Sequence, residues 1–242
     1  MSADVRYIRY HAWWCASGNT TSSDLLFAYL AENLLETWVP PDRSQDWLLR
    51  RAMTGRRHWL AGDESRVNRE GWPTGEWRAP YGDFYAGDER REPSESPPGL
   101  WSRPNPDWVA ELPRTPALLL EHLRIALPPA RQDDAMLLHH AAQALRSGLL
   151  PADLVTALYE ALAGLPSATV HESVANLDGQ AGTALVVEKG IRIEELIIDL
   201  DAGEYLGERT TQTKTAYGIP ADTVTSFGAL SSAMVEALGD VP

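Results

Sequence analysis

Thr183–Thr210 reads TALVVEKGIRIEELIIDLDAGEYLGERT, and this stretch decides the fold. Within it, Ile191–Asp199 and Glu204–Thr210 have strand character and flank a turn centred on Gly203, which offers the positive-φ position that hairpins need. A preceding run, Thr183–Val187, is close enough in sequence to join them. The pattern therefore predicts three antiparallel strands in a meander. A sheet of this kind has to bury one face, so neighbouring segments must cover it.

More strands are expected near the N-terminus. Val5–Trp14 is rich in β-branched and aromatic residues, which is typical of a strand. Leu25–Val39 is apolar enough for a helix and is stopped by two prolines. Trp47–Met53 and Arg57–Leu60 read as two further short strands, because Thr54 and Gly55 separate them as a break.

The character of the chain changes between residues 63 and 107. These 45 residues contain seven Pro and five Gly, with little periodicity. Such composition buries too little apolar surface to offset the entropy lost on ordering. We therefore predict a long loop at about 63–107, either a mobile insertion or a flap held down by its tryptophans, inside a single domain that spans 1–242.

Helix signals follow the predicted loop. Thr115 and Pro116 form a helix start, Asp133 caps a second helix, and Gly148 and Gly164 are typical C-terminal stops. The predicted helices are Ala117–Leu127, Asp133–Arg146 and Pro151–Gly164. Strands are then predicted at 168–174, 183–188, 191–199, 204–212 and 223–231. Strands, helices and strands in this order predict an α+β fold, with an antiparallel sheet packed on about three helices.

Charge and composition exclude several classes of function. The formal net charge is −13, with 34 acidic and 21 basic side chains, so the surface repels nucleic acid. The chain shows neither an 18-residue apolar run nor a leader pattern, and we expect it to be soluble as written, without a membrane span. A single cysteine, Cys15, gives no disulfide framework and is expected to be an inert, buried thiol.

The residue types that usually catalyse reactions or bind metals do not form a catalytic or metal-binding motif in this sequence. His139 and His140 are adjacent in a predicted helix and point roughly 100° apart, so they cannot chelate one metal from the same face. Glu194 and Glu195 are adjacent in a predicted strand and face opposite sides of the sheet. We therefore predict no catalytic residue, no metal site and no cofactor.

Tryptophan is unevenly distributed, because all nine residues lie between Trp13 and Trp108. Amphipathic aromatic side chains line grooves for ligands, but they also fill cores. Trp13, Trp38 and Trp47 are expected in the core. The candidate groove-lining residues are Trp72, Trp77, Trp101 and Trp108.

Four segments together resemble an actinobacterial family of uncharacterised, usually membrane-anchored proteins found beside extracytoplasmic-function sigma factors. They are TWVPPDRSQDWLLRRAMTGRRHWLAG (Thr37–Gly62), ELPRTPALLLEHL (Glu111–Leu123), LLPADLVTALYEALAGLP (Leu149–Pro166) and EELIIDLDAGEYLGERT (Glu194–Thr210). The resemblance favours one long strand at Leu25–Val39. It also implies a half-barrel similar to the lipoprotein-carrier fold, in which a curved antiparallel sheet wraps helices and leaves an apolar groove.

The function that this resemblance implies is a non-enzymatic extracytoplasmic binding or sensing domain. Such a domain holds a lipid or acyl ligand, or acts on a membrane or signalling protein in a sigma/anti-sigma system. The alternatives are a protein-docking domain without a small ligand and a hydrolase with a dispersed site. The resemblance assigns no role to any residue.

Overall fold

The computed structural model describes residues 5–20, 25–42, 44–67, 73–84 and 99–242. Four strands come first: β1 Val5–Asn19, β2 Leu25–Val39, β3 Asp46–Gly62 and β4 Gly75–Pro80. Four helices follow: α1 Pro106–Glu111, α2 Pro116–Ile125, α3 Asp134–Leu145 and α4 Ala152–Ala163. Five strands complete the order: β5 Ala168–Ala175, β6 Ala181–Lys189, β7 Arg192–Asp199, β8 Glu204–Gln212 and β9 Thr223–Val235.

The nine strands of the described residues form one open antiparallel sheet in the order β4-β3-β2-β1-β9-β8-β7-β6-β5. This order brings the last strand, β9, against the first, β1, so the two halves of the chain share one sheet. The architecture is α+β, as the sequence predicts, and fits a curved sheet with helices. In the described part of the chain, no helix has the length and apolar character needed to cross a membrane.

The predicted meander is confirmed as β6, β7 and β8. Its second turn is stabilised by Asp199, whose carboxylate accepts hydrogen bonds from the backbone N–H groups of Asp201 and Ala202, each at 3.0 Å. Gly203 closes the turn with a φ of 65°, which is in the left-handed region that favours glycine.

The predicted break between two short strands after Met53 is wrong. The structure has one long strand, β3, in which Gly55 takes a φ of 82° and the pairing with β2 shifts register between Ala31 and Asn33. The glycine therefore makes a bulge rather than a turn. Because β2 is a single strand of 15 residues, as the resemblance favours, both halves of β3 find a partner along it.

The predicted loop at 63–107 contains regular structure that the sequence analysis missed. Gly75–Pro80 forms the edge strand β4 and pairs with β3. At the other end, Pro106 opens α1, and the Asn105 side chain accepts a hydrogen bond from the backbone N–H of Trp108 at 2.9 Å. An Asn-Pro pair is a common helix start, but six residues give too little periodicity to stand out. Residues 68–72 and 85–98 of the predicted loop lie outside the described ranges.

The main core lies between the helices and one face of the sheet, which we call the helix face. On β1 this face carries Ile8, Tyr10 and Ala12, and the alternate residues point to the opposite, outer face. Helix α3 packs mainly against β6 and β7, and α4 against β5, β6 and β8. The helices contribute a layer of almost fully buried leucines: Leu119, Leu123, Leu137, Leu138, Leu154, Leu158 and Leu162.

The outer face has two smaller apolar clusters. Tyr7, Trp38 and Leu48 form one of them, and the C-terminal segment packs over it through Leu238. The Trp38 indole N–H donates to the backbone carbonyl of Asp240 at 2.5 Å, which fixes this segment on the sheet. The second cluster contains Ala184, Val186, Ile197 and Leu206.

Two adjacent leucines of α2 test which helix surface faces the core. Leu119 is 0% exposed and Leu118 is 61% exposed. We expect Leu119→Ala to lower the free energy of unfolding by about 2–5 kcal/mol, because it leaves a cavity in the core. The matched change Leu118→Ala is expected to alter it by less than about 0.5 kcal/mol. Chemical denaturation of both variants measures the difference, and equal effects would contradict the helix orientation.

Candidate ligand-binding groove

A groove of about 400 Å³ opens on the helix face, between strands β1, β2 and β3 and the C-terminal end of α3. Its volume lies within the range of roughly 300–1,000 Å³ that is usual for small-molecule sites. The lining residues are Ile8, Tyr10, Trp14, Leu35, Thr37, Trp47, Leu49, Gly82, Phe84, Ser102, Pro104, Gln143, Arg146, Ser147 and Leu149.

Strand alternation makes the floor of the groove apolar. Tyr10 on β1 pairs with Leu35 on β2, and Thr37 on β2 pairs with Leu49 on β3, so these side chains emerge on the same face. Helices α3 and α4 lie mainly over strands β5 to β8. The helix face of β1 to β3 is therefore left to line the groove.

A polar cluster forms one end of the groove, centred on the buried carboxylate of Glu208 in β8. The hydroxyl groups of Tyr10 and Tyr205 donate to its two oxygens, each at 2.9 Å. The guanidinium of Arg146, just after α3, lies 2.6 Å from Glu208, measured from Nε to Oε1. Strand β1, strand β8 and helix α3 are thus joined through one carboxylate.

The protonation states in this cluster are well defined by their surroundings. Burial and then the negative charge of Glu208 raise the pKa of Tyr10 and Tyr205 well above the usual value, so both phenols stay neutral and donate. Burial lowers the pKa of Arg146, but its interactions with Glu208, Tyr10 and Tyr205 together outweigh that effect and leave the pKa raised. The guanidinium therefore stays cationic at the end of the groove.

A glycine makes the cluster sterically possible. Tyr10 reaches Glu208 by crossing strand β9 at Gly228, where a Cβ atom would lie 2.3 Å from the Tyr10 hydroxyl oxygen. Gly228 pairs with Glu208 on one side and with Ala12 on the other. Only a residue without a side chain leaves room for the phenol at this point.

Trp47 lines the groove and carries a buried polar atom without a partner among the described residues. The side chain is 3% exposed, and its indole N–H is buried without a hydrogen-bond acceptor among the described residues. An orphaned buried donor costs roughly 1–3 kcal/mol. The sequence predicts Trp47 in the core, and the side chain is buried, but it also lines the groove.

The four tryptophans predicted to line a groove are placed as follows. Trp101 and Trp108 contact each other edge to face, with ring centroids 5.2 Å apart, and pack with the helices. Trp77 lies on the edge strand β4 opposite Leu49. None of these three is among the residues that line the groove, and Trp72 lies outside the described residues. The groove instead uses Trp14 and Trp47, because strand register rather than composition selects which aromatic side chains face it.

A second polar cluster lies on the outer face, around His11. Its Nδ1 is 2.6 Å from Asp178 and its Nε2 is 2.8 Å from Glu32, so both ring nitrogens are occupied by carboxylates. Burial raises the pKa of Glu32, but hydrogen bonds from Thr54, Arg56 and His11 outweigh it and lower the pKa. Asp178 lies between β5 and β6, so the ion pairs hold that connection against β1.

The His11 cluster resembles a hydrolase site only in its residue types. Thr54 donates its hydroxyl to Glu32 at 2.5 Å rather than to His11, so this hydroxyl is not paired with a histidine base. In the part of the chain that the structure describes, no three His, Cys, Asp or Glu side chains are placed to hold a metal ion. The geometry is that of an ion-pair network on a sheet face.

Glu194 and Glu195 point to opposite faces of β7, as predicted, and they have different surroundings. On the helix face, Glu194 lies 4.0 Å from Nδ1 of His139, and burial raises the pKa of its carboxyl to about 6. On the outer face, Glu195 accepts two hydrogen bonds from Arg209, one of them 2.7 Å long from Nη2. The adjacent positions of Glu194 and Glu195 in a strand are enough to predict that they face opposite sides of the sheet. Their contact partners, His139 and Arg209, lie in other elements and cannot be predicted from that spacing.

The structure belongs to the class of open antiparallel sheets in which helices cover part of one face. The rest of that face lines a partly apolar groove. Comparison of the chain with protein family models, with curated proteins and with solved structures finds no match to any of them. The roles of the groove residues are therefore inferred from their own contacts and chemistry.

The close approach at Gly228 gives a stability prediction. We expect Gly228→Ala to lower the free energy of unfolding by about 1–3 kcal/mol, because the new methyl group overlaps the Tyr10 hydroxyl and displaces it from Glu208. Gly164→Ala is the matched control, since its Cβ would meet its nearest neighbour at an ordinary 3.5 Å. Thermal denaturation compares the two. If Gly228→Ala is as stable as the wild type, the described packing of Tyr10 against Gly228 is contradicted.

The adjacent glutamates give a pH prediction. Between about pH 4.5 and pH 6 the folded state binds more protons at Glu194 than the unfolded state does, so the free energy of unfolding falls as the pH rises through this window. Glu194→Gln removes the cost of keeping a charged carboxylate at this buried position. We therefore expect the free energy of unfolding of Glu194→Gln to exceed that of the wild type by up to about 2 kcal/mol at pH 7.5. This difference should disappear below about pH 4.5, where Glu194 is protonated in both states.

Glu195→Gln is the control, and we expect it to lower the free energy of unfolding at pH 7.5, which is the opposite of the effect expected for Glu194→Gln. The control removes a charged partner from Arg209 and is expected to cost about 1–3 kcal/mol. Urea denaturation at a series of pH values measures both variants. If Glu194→Gln is the less stable of the two at pH 7.5, the buried position of Glu194 is refuted.

Proposed function

We propose that this chain is a non-enzymatic binding domain whose groove on the helix face holds an apolar or acyl ligand. The observation that carries the proposal is the groove of about 400 Å³ with Trp14, Leu35, Trp47, Leu49 and Phe84 among its lining residues. Burying aliphatic carbon against such a wall contributes roughly 0.8 kcal/mol per methylene group. A ligand with a linear hydrocarbon chain therefore gains affinity with each carbon that the groove covers.

Binding accounts for the groove better than catalysis does. Among the described lining residues, the ionisable side chains are Arg146 and Tyr10, and both interact with Glu208. A general base or nucleophile needs a free acceptor within hydrogen-bond reach of the substrate. The arrangement instead offers aromatic and aliphatic contact with a few polar groups at one end, which is the usual composition of a small-molecule binding site.

The wider setting of the proposal comes from the resemblance described in the sequence analysis. An extracytoplasmic domain of the lipoprotein-carrier type, working beside a sigma factor, would use such a groove to sense or hold an acyl ligand and to report it to a membrane or signalling protein. The open antiparallel sheet with helices on one face supports this part of the proposal in its general architecture. Fold-level similarity is an analogy, and the groove is the feature to test.

Filling the groove tests the proposed function. Leu35 on β2 lies on its floor, whereas the adjacent Leu34 points to the outer face. We expect the wild type to bind decanol, Leu35→Trp to bind it at least about tenfold more weakly, and Leu34→Trp to stay within about twofold of the wild type. Isothermal titration calorimetry on delipidated protein measures the affinities. Absence of decanol binding to the wild type, or equal loss in both variants, would overturn the proposal.

A further inference from the structure

The charge of the groove differs from that of the whole molecule. The chain has 34 acidic and 21 basic side chains, yet the described lining residues include the cation Arg146 and neither an aspartate nor a glutamate. A second cation is close by, because the guanidinium of Arg51 lies 5.3 Å from the ring centroid of Trp14, which lines the groove. An acidic protein has thus placed positive charge beside an apolar surface.

Arg146 is held by an ion pair with Glu208. Its Nε lies 2.6 Å from Glu208 but makes no hydrogen bond among the described residues, and the Glu208 oxygens accept hydrogen bonds from Tyr10 and Tyr205. Among the described residues, the two terminal amino groups of Arg146 donate no hydrogen bond, and the side chain remains 29% exposed and lines the groove. Two parallel N–H donors on a planar guanidinium match the two oxygens of a carboxylate.

Neutral polar side chains lie beside this cation. Gln143, one turn earlier on α3, and Ser147, directly after Arg146, both line the groove. The Ser147 hydroxyl is used locally, because it donates to the carbonyl of Ala144 at 2.6 Å and accepts from the N–H of Leu149 at 3.1 Å. Gln143 adds an amide at the end where the guanidinium lies, whereas Leu35, Trp47 and Leu49 make the floor apolar. The groove is therefore amphipathic along its length, with a cationic, hydrogen-bonding end and an apolar remainder.

We propose that the ligand of this groove is a single-chain acyl carboxylate, whose anionic head is held by the terminal amino groups of Arg146 while its hydrocarbon chain lies on the floor formed by β1 to β3. This inference rests on the proposed function and specifies the head group of its ligand. Glu208 acts as a positioning residue, because its ion pair with Nε holds the guanidinium at the end of the groove.

A series of three probes with the same alkyl chain and different heads tests the head group separately from the groove. Decanoate, decanol and decyltrimethylammonium are titrated below their aggregation limits into delipidated wild-type protein by calorimetry. We expect decanoate to bind at least about tenfold more tightly than decanol, and decyltrimethylammonium to bind more weakly than decanol. Raising the salt concentration should weaken the binding of decanoate and leave that of decanol unchanged.

Two sets of variants assign the preference to Arg146. Arg146→Gln should abolish the preference for decanoate while decanol still binds. Ser147→Glu adds a negative charge at the same end and should reverse the order of decanoate and decyltrimethylammonium, whereas Ser147→Gln, the neutral control, should retain the order of the wild type. Near-ultraviolet circular dichroism checks the fold of each variant. If Arg146→Gln does not fold, the comparison of Ser147→Glu with Ser147→Gln tests whether the head group binds at this end of the groove.

The outcomes separate the two proposals. If none of the three probes binds, the proposed function is overturned together with this inference. If all three bind with equal affinity, or if decyltrimethylammonium binds most tightly, the groove stands as a binding site and the carboxylate head is refuted. A preference for decanoate that survives both Arg146→Gln and Ser147→Glu would likewise overturn the role of Arg146.

Discussion

The buried carboxylate of Glu208 is the interaction on which the rest of the structure depends. It accepts hydrogen bonds from Tyr10 of β1 and Tyr205 of β8 and pairs with Arg146 after α3. A carboxylate in an apolar core is costly unless it is hydrogen-bonded and paired, and here it has two hydrogen bonds from tyrosine hydroxyls and an ion pair with Arg146. Because Tyr10 reaches across β9 at Gly228, the same group ties the N-terminal strands to the C-terminal strands and to the helices.

The contacts of Glu208 with Tyr10 and Arg146 also determine where the groove lies. Helices α3 and α4 bury mainly the face of β5 to β8, and Arg146 brings the end of α3 to the boundary with β1. Beyond that boundary the helix face of β1 to β3 continues as a surface of aromatic and aliphatic side chains. Structure and proposed function are linked at Arg146, which forms an ion pair with Glu208 and also lines the groove.

The sequence predicts the elements of this fold well and the groove poorly. The meander, the three longer helices and the α+β order follow from local periodicity and turn chemistry, which act within a few residues. The break after Met53 was wrong, because Gly55 signals a turn locally while the unbroken partner β2 converts it into a bulge. Among the described residues, Trp14 and Trp47 line the groove and Trp77, Trp101 and Trp108 do not, because register with strands distant in sequence selects the residues on each face.

By itself, then, the sequence determined the meander of β6 to β8, the three longer helices, the opposite directions of Glu194 and Glu195, and the acidic character of the molecule, because each depends on near neighbours or on composition. Only the tertiary structure decided that β9 joins β1, that Glu208 is buried with Tyr10 and Arg146, and that a cation faces an apolar groove. Tyr10 and Glu208 are separated by 198 residues in the chain, so their contact exists only after the sheet has brought the two ends of the protein together.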